Sequence, residues 1–174
     1  MKKIGLFYWP LKGNVEACAR KIYAKLSTEA VDLQSIDKIN DLELEKFDLF
    51  IVGGSTVGAD VWEKTADSNC WGDFFTAVEK AKLKDKPVAI FGLGDHILYP
   101  DHFVDGIKTI KDEFEIAGAK LIGRWPTEGY DFTGSDSVEG NEFLGLALDE
   151  DHLDEKTDER IDAWVKQISK EAGL

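Results

Sequence analysis

Three short stretches of this chain gather the glycine, aromatic and small polar residues that hold a flat or anionic ligand. They are Trp9-Pro10-Leu11-Lys12-Gly13-Asn14-Val15, then Gly53-Gly54-Ser55-Thr56-Val57-Gly58-Ala59-Asp60, then Gly92-Leu93-Gly94-Asp95 leading through Tyr99 to His102. Glycine lets a backbone approach a ligand closely, and a ring such as that of Tyr99 can stack on a flat heterocycle. Gly13, Asn14 and Val15 precede a helical pattern, so their amides open a helix toward any anion, and Lys12 adds a formal positive charge.

Other chemistries are poorly supplied. His96, His102 and His152 fall in loops, no pair has ligand spacing on a helix, and neither cysteine joins them, so no metal site is expected. Cys18 and Cys70 are isolated and read as reduced core thiols. A phosphoacceptor domain needs acids where Tyr8-Trp9 and Gly53-Gly54 stand. A nicotinamide site would want Gly-x-Gly-x-x-Gly after the first strand, where only Gly13 is present. No nucleophile is paired with a base by motif.

The elements that must position these loops alternate. Ile4 to Tyr8 is a short apolar run expected as a buried strand, and Asn14 to Leu26 follows with Val15, Ala19, Ile22 and Leu26 at helical spacing. Val31-Asp32-Leu33, Asp48 to Val52, Val88 to Phe91 and Lys120 to Ile122 supply further strands. Helical stripes are Trp71, Phe74, Phe75 and Val78; Phe103, Ile107, Ile110 and Phe114; and Ile161, Trp164, Val165 and Ile168. Thr157, followed by Asp158 and Glu159, reads as the start of the last helix. Trp125 to Asp154 is too long for a plain connection and reads as an insertion that interrupts or extends the edge strand, with Glu142 to Ala147 as a further strand. The pattern predicts an α/β protein with a doubly wound, five-stranded parallel sheet, helices on both faces, and one domain over 1–174. In such sheets ligands bind beyond the carboxyl ends of the strands, which is where all three loops fall.

Composition bounds the partners. With 174 residues, 43% hydrophobic and 32% charged, the chain has the make-up of an ordinary globular protein. A formal charge of -13 disfavours nucleic acid and anionic membranes and favours basic proteins. The apolar start is cut short by Trp9-Pro10, too soon for a signal-peptide core, and no run is long enough to span a membrane, so the expected compartment is the cytoplasm.

Taken in order, these stretches resemble the flavodoxins, specifically the long-chain kind with an insertion at the fifth strand. The most specific matches are Phe91-Gly92-Leu93-Gly94-Asp95 leading through Tyr99-Pro100-Asp101 to Phe103-Val104-Asp105-Gly106, and Gly145-Leu146-Ala147-Leu148-Asp149-Glu150-Asp151 followed by Thr157 to Ile161 and Trp164. The resemblance implies strand order 2-1-3-4-5, non-covalently bound FMN, and a low-potential one-electron carrier, not an enzyme, that shuttles between a flavodoxin reductase-like donor and acceptor enzymes. Monomer is the default.

The resemblance also implies roles. Trp9, Pro10, Leu11, Lys12, Gly13, Asn14 and Val15 would wrap the phosphate; Ser55, Thr56, Val57 and Gly58 would lie against one side of the isoalloxazine, and Tyr99 would stack on the other. Gly92, Leu93, Gly94 and Asp95 would meet the pyrimidine edge. His102 would stand at a commonly amide-bearing position, and Asp151 would lie near the ribityl chain. The chain departs from the family at Pro10, Leu11, Lys12 and Val15, where hydroxyl side chains usually bind phosphate, and at Val57, where a tryptophan usually stacks; Trp62 and Trp9 are the nearby rings. Asp60, Asp95, Asp101, Asp149 and Asp151 would raise the energy of an anionic reduced ring by kilocalories per mole, roughly tens to hundreds of millivolts. The altered phosphate loop leaves an alternative, a divergent flavodoxin-like binding or regulatory module that takes FMN weakly or not at all.

Overall fold

The computed structural model describes residues 2–26, 30–39, 43–57 and 70–174. Strand β1 (Ile4–Tyr8) leads into helix α1 (Asn14–Lys25), followed by β2 (Val31–Ser35), β3 (Leu49–Gly54), α2 (Cys70–Lys80), β4 (Pro87–Leu93) and α3 (Gly106–Ile116). Every residue of β1 and β3 is buried, as expected of parallel strands covered on both faces. β1 pairs in parallel with β2, Ile4 opposite Val31, and with β3, Ile4 opposite Leu49; β3 pairs with β4.

β4 has a divided neighbour. Along its first half it pairs with β5 (Lys120–Ile122), and along its second half with β9 (Leu146–Leu148). Between them the chain leaves the main sheet and makes a small antiparallel one from β6 (Trp125–Pro126), β7 (Val138–Glu139) and β8 (Glu142–Phe143). The main order is therefore 2-1-3-4-5 with the fifth position interrupted. Glu142 to Ala147 is not one strand: its first residues belong to the small sheet and its last to the main sheet. Gly145 makes the change possible, because a Cβ there would come within 2.2 Å of the Ile90 carbonyl oxygen. Gly145→Ala is expected to destabilise the fold by about 1–3 kcal/mol through this overlap, measured as a lower urea midpoint.

Alternation along the strands sends side chains to two cores. Phe7, Phe50, Val52 and Ile90 face α2 and α3, where Phe74, Val78, Ile107, Ile110 and Phe114 meet them. Leu6, Tyr8, Ile51 and Phe91 face α1 and the last helix, α4 (Asp154–Ala172), where Ile22, Ile161, Trp164 and Ile168 meet them. Phe103 joins the first core from the turn before α3. α4 begins three residues earlier than Thr157, with Asp154 and Glu155 at the positive end of its dipole. Thr157 is fully buried, and its hydroxyl donates to Glu150, tying the loop after β9 to the helix. Cys18 is buried, and burial pushes its thiol up to about 12, as befits a core residue. No helix among the described residues is long and apolar enough to cross a membrane.

Candidate functional site

The strand order reverses between β1 and β3, and at their carboxyl ends lies a crevice in two adjoining parts. The wider, about 490 Å³, is walled by Ser55, Thr56 and Val57 after β3, by Leu93, Gly94, Asp95, Tyr99 and His102 at and after β4, and by Phe103 to Gly106 with Thr109. The narrower, about 320 Å³, shares Ser55, Thr56, Leu93, Gly94, Asp95 and Tyr99 and is closed by Pro10, Asn14, Val15, Glu150 and Asp151. Both volumes suit small-ligand sites. A larger groove of about 740 Å³ between Lys2, Lys25, Leu26 and Leu174 lies at the amino ends of the strands, away from the converging loops.

The narrower part ends on the N-terminus of α1. Gly13 caps that helix in extended conformation without a side-chain bond, and helical bonding begins with Ala17 N–H to the Gly13 carbonyl at 3.0 Å. The amides of Asn14, Val15 and Glu16 therefore fall outside the helical ladder, at its positive end. A Cβ built on Gly13 meets nothing within 4 Å, so the approach is open. Lys12 has φ 60, and its N–H donates to Glu16 Oε2 at 2.7 Å. That N–H, together with Arg20, holds the Glu16 carboxyl below its ordinary value. Trp9 and Leu11 pack partly buried against the two cores. Of the predicted phosphate loop, Pro10, Asn14 and Val15 reach the crevice wall; Trp9, Leu11, Lys12 and Gly13 do not line it.

On the β3 side, Ser55 and Thr56 border both parts, while Val57 is buried against Gly54 and Gly106. Gly58, Asp60 and Trp62 lie outside the described residues. On the β4 side Tyr99 stands at the mouth with 68% of its surface exposed, an aromatic face with no ring partner among the described residues. Gly92 sits inside the sheet, opposite Gly54 and Ala147, with Ile107 behind it. The Gly94 N–H is already given to the Leu148 carbonyl at 3.0 Å. His102 is exposed at the rim, its Nδ1 3.0 Å from Asp105 Oδ2.

Two sets of bonds hold the Tyr99 loop. Asp95 accepts the N–H groups of Ile97 and Leu98 at 2.9 and 2.7 Å. Burial alone would raise its carboxyl, but these bonds and His152 outweigh it and leave it below its ordinary value. From the insertion, the N–H groups of Thr133 and Gly134 donate to Pro100, and the hydroxyls of Ser135 and Ser137 donate to the carbonyls of Phe103 and Val104. Sequence reasoning missed this clamp and missed Glu150 on the crevice wall. The Ser/Thr content of the insertion was the only signal for the first, and the acidic run Asp149 to Asp151 for the second.

A doubly wound sheet whose switch-point crevice presents an exposed aromatic face, open helix amides and close-packed glycines defines an α/β protein built to hold a flat, anionic cofactor. The family model described as Flavodoxin matches residues 6–164. The chain is 39% identical over 175 residues to a flavodoxin of Haemophilus influenzae, covering 100% of this chain and 98% of that one. It is 38% identical to flavodoxin 1 of Escherichia coli K12, covering 98% and 94%. A crystal structure of Fusobacterium nucleatum flavodoxin bound to flavin mononucleotide superposes with a TM-score of 0.85 at 29% identity, covering 98% of this chain and 99% of that one. This chain belongs to the flavodoxin family, and flavodoxins are themselves a standing example of the switch-point rule.

Proposed function

We propose that the crevice holds FMN non-covalently and that the protein carries single electrons at low potential between a reductase and acceptor enzymes. The observation that carries this is the conjunction of the Tyr99 face with the open N-terminus of α1 across one crevice, in a chain whose structural relative is bound to FMN. No observation favours a module without cofactor. The bound group would supply a ring system that takes electrons one at a time. Tyr99 would cover one side of that ring, Ser55 and Thr56 would face it from β3, and Leu93 to Asp95 would border its edge. Asn14 and Val15 would offer their amides to the phosphate, with Gly13 leaving room and Lys12 adding charge nearby.

Asp95, Glu150 and Asp151 wall the same crevice, so additional negative charge on the ring is disfavoured and an electron placed there leaves readily. Partners are redox proteins, as for the family. The net charge of -13 supports basic docking faces on them, and it would speed encounters without a tight interface. The reading includes a monomer in the cytoplasm, with 1–174 as a single domain.

Titration with FMN and with riboflavin tests the site. FMN binding tighter than riboflavin supports a working phosphate end, and no binding of either rejects the carrier. Lys12→Ala is expected to weaken FMN roughly two- to fivefold, the effect of one exposed ion pair, and to leave riboflavin unchanged. An unaltered FMN constant would remove Lys12 from the phosphate site.

A further inference from the structure

All three histidines of the chain lie at the crevice end of the sheet, and two of them form a network with buried carboxylates that the binding of a flavin does not by itself require. His96 is 4% exposed, and its Nδ1 lies 2.6 Å from Oδ2 of the fully buried Asp149. The same oxygen accepts the His96 backbone N–H at 2.9 Å, while Asp149 Oδ1 accepts the N–H groups of Asp151 and His152. His152 Nε2 lies 3.1 Å from Asp95 Oδ1, and the His96 and His152 rings meet edge to face at 5.9 Å. Phe103 covers His96 from the α3 side, again at 5.9 Å.

We infer that His96 and His152 form a proton site coupled to the charge on the cofactor, anchored by Asp149 and Asp95. This rests on the FMN reading. Two carboxylates here face two imidazoles, the side chains whose charge changes nearest neutrality. Glu150 and Asp151 follow Asp149 in the loop after β9 and wall the same crevice as Asp95. On α4 the Arg160 guanidinium lies 4.1 Å over the Tyr130 ring, which also meets Phe103. Asp95 belongs both to this network and to the crevice wall. An electron on a ring in that crevice therefore adds charge of the sign that draws a proton onto the pair.

The step balances simply. When a bound flavin gains one electron from a donor protein, an imidazole nitrogen not engaged with a carboxylate, Nε2 of His96 or Nδ1 of His152, would take one proton from solvent. No bond to the flavin forms or breaks. By linkage the effect is reciprocal: a proton on the pair makes the ring easier to reduce.

The experiment uses the FMN-loaded protein. The potential of the electron that leaves the ring anionic is measured from about pH 5.5 to about 8, across the histidine range, and the imidazole NMR signals are titrated in the oxidised and fully reduced forms. Reduction is expected to raise the proton affinity of the pair on the order of tenfold, an ordinary coupling between two sites. His152→Gln and His96→Gln should each flatten the pH dependence of that potential. His152 is 38% exposed, so its variant keeps the question answerable if His96→Gln does not fold. Flavin bound with imidazole midpoints identical in both oxidation states, or a pH dependence undiminished in His152→Gln, overturns this inference alone. A chain that takes up no flavin overturns both readings.

Discussion

Asp149→Ala is expected to destabilise the protein by about 3–5 kcal/mol, because several hydrogen-bond donors lose their acceptor at once, each at about 1–3 kcal/mol where buried. Asp149 is fully buried and accepts from the His96 ring, the His96 N–H, and the N–H groups of Asp151 and His152. Alanine would leave the His96 ring and N–H without an acceptor in a place water does not reach, where hydrogen-bonding groups cost most, and would free the half-buried N–H groups of Asp151 and His152. The damage would not stop at stability. Asp149 joins the loop after β9 to the residue that follows Asp95, so two walls of the crevice lose their common anchor. FMN affinity should fall even at temperatures where the fold persists. Urea unfolding gives the first quantity and fluorescence titration with FMN the second. A loss under about 1 kcal/mol, the size of a single neutral hydrogen bond, would show that Asp149 is dispensable to the loops.

Trp164→Ala is expected to cost about 3–5 kcal/mol, as for other buried tryptophans truncated to alanine. Trp164 is fully buried, meets the Phe91 ring edge at 6.5 Å, and donates Nε1–H to the Gly123 carbonyl at 2.8 Å. Gly123 is the residue at which the chain leaves the main sheet after β5 and enters the insertion. Truncation therefore opens a cavity in the core beneath β4 and frees the start of the insertion in one change. Trp164→Phe separates the two effects: it keeps most of the buried ring and leaves the Gly123 carbonyl unpaired. The phenylalanine variant should recover more than half of the lost stability, measured as the shift of the urea midpoint. An equal loss in both variants would place the whole effect in the hydrogen bond.

The strands and helices were legible in the sequence because burial on both faces leaves continuous apolar runs and burial of one stripe leaves a 3.6-residue period. Ile4 to Tyr8 and the stripe Ile161, Trp164, Val165 and Ile168 behave in this way. The last helix start was misread because Thr157 has the chemistry of a cap but is taken into the interior by Glu150, while Leu153, at the true cap, offers no side-chain bond. The segment Glu142 to Ala147 looked continuous because a strand pattern carries no information about which sheet it joins.

The same boundary runs through the site. Tyr99, Ser55 and Thr56 were marked by residue type and by position after a strand, and Asp151 by the family resemblance, and the fold brings them to one crevice. Gly92 was marked by type and position as well, and the register of β4 places it opposite Gly54 and Ala147, inside the sheet.

What the order of residues determined by itself is the alternation of strands and helices, the acidic charge and the family, since each depends on local pattern or on residue identity. Tertiary structure alone decided that Asp149 would meet His96 across 53 positions, that Ser135 and Ser137 would brace the Tyr99 loop, and that Gly145 would pass against Ile90. Those contacts follow from where a strand re-enters the sheet, and a change of register by one residue would turn each side chain to the other face.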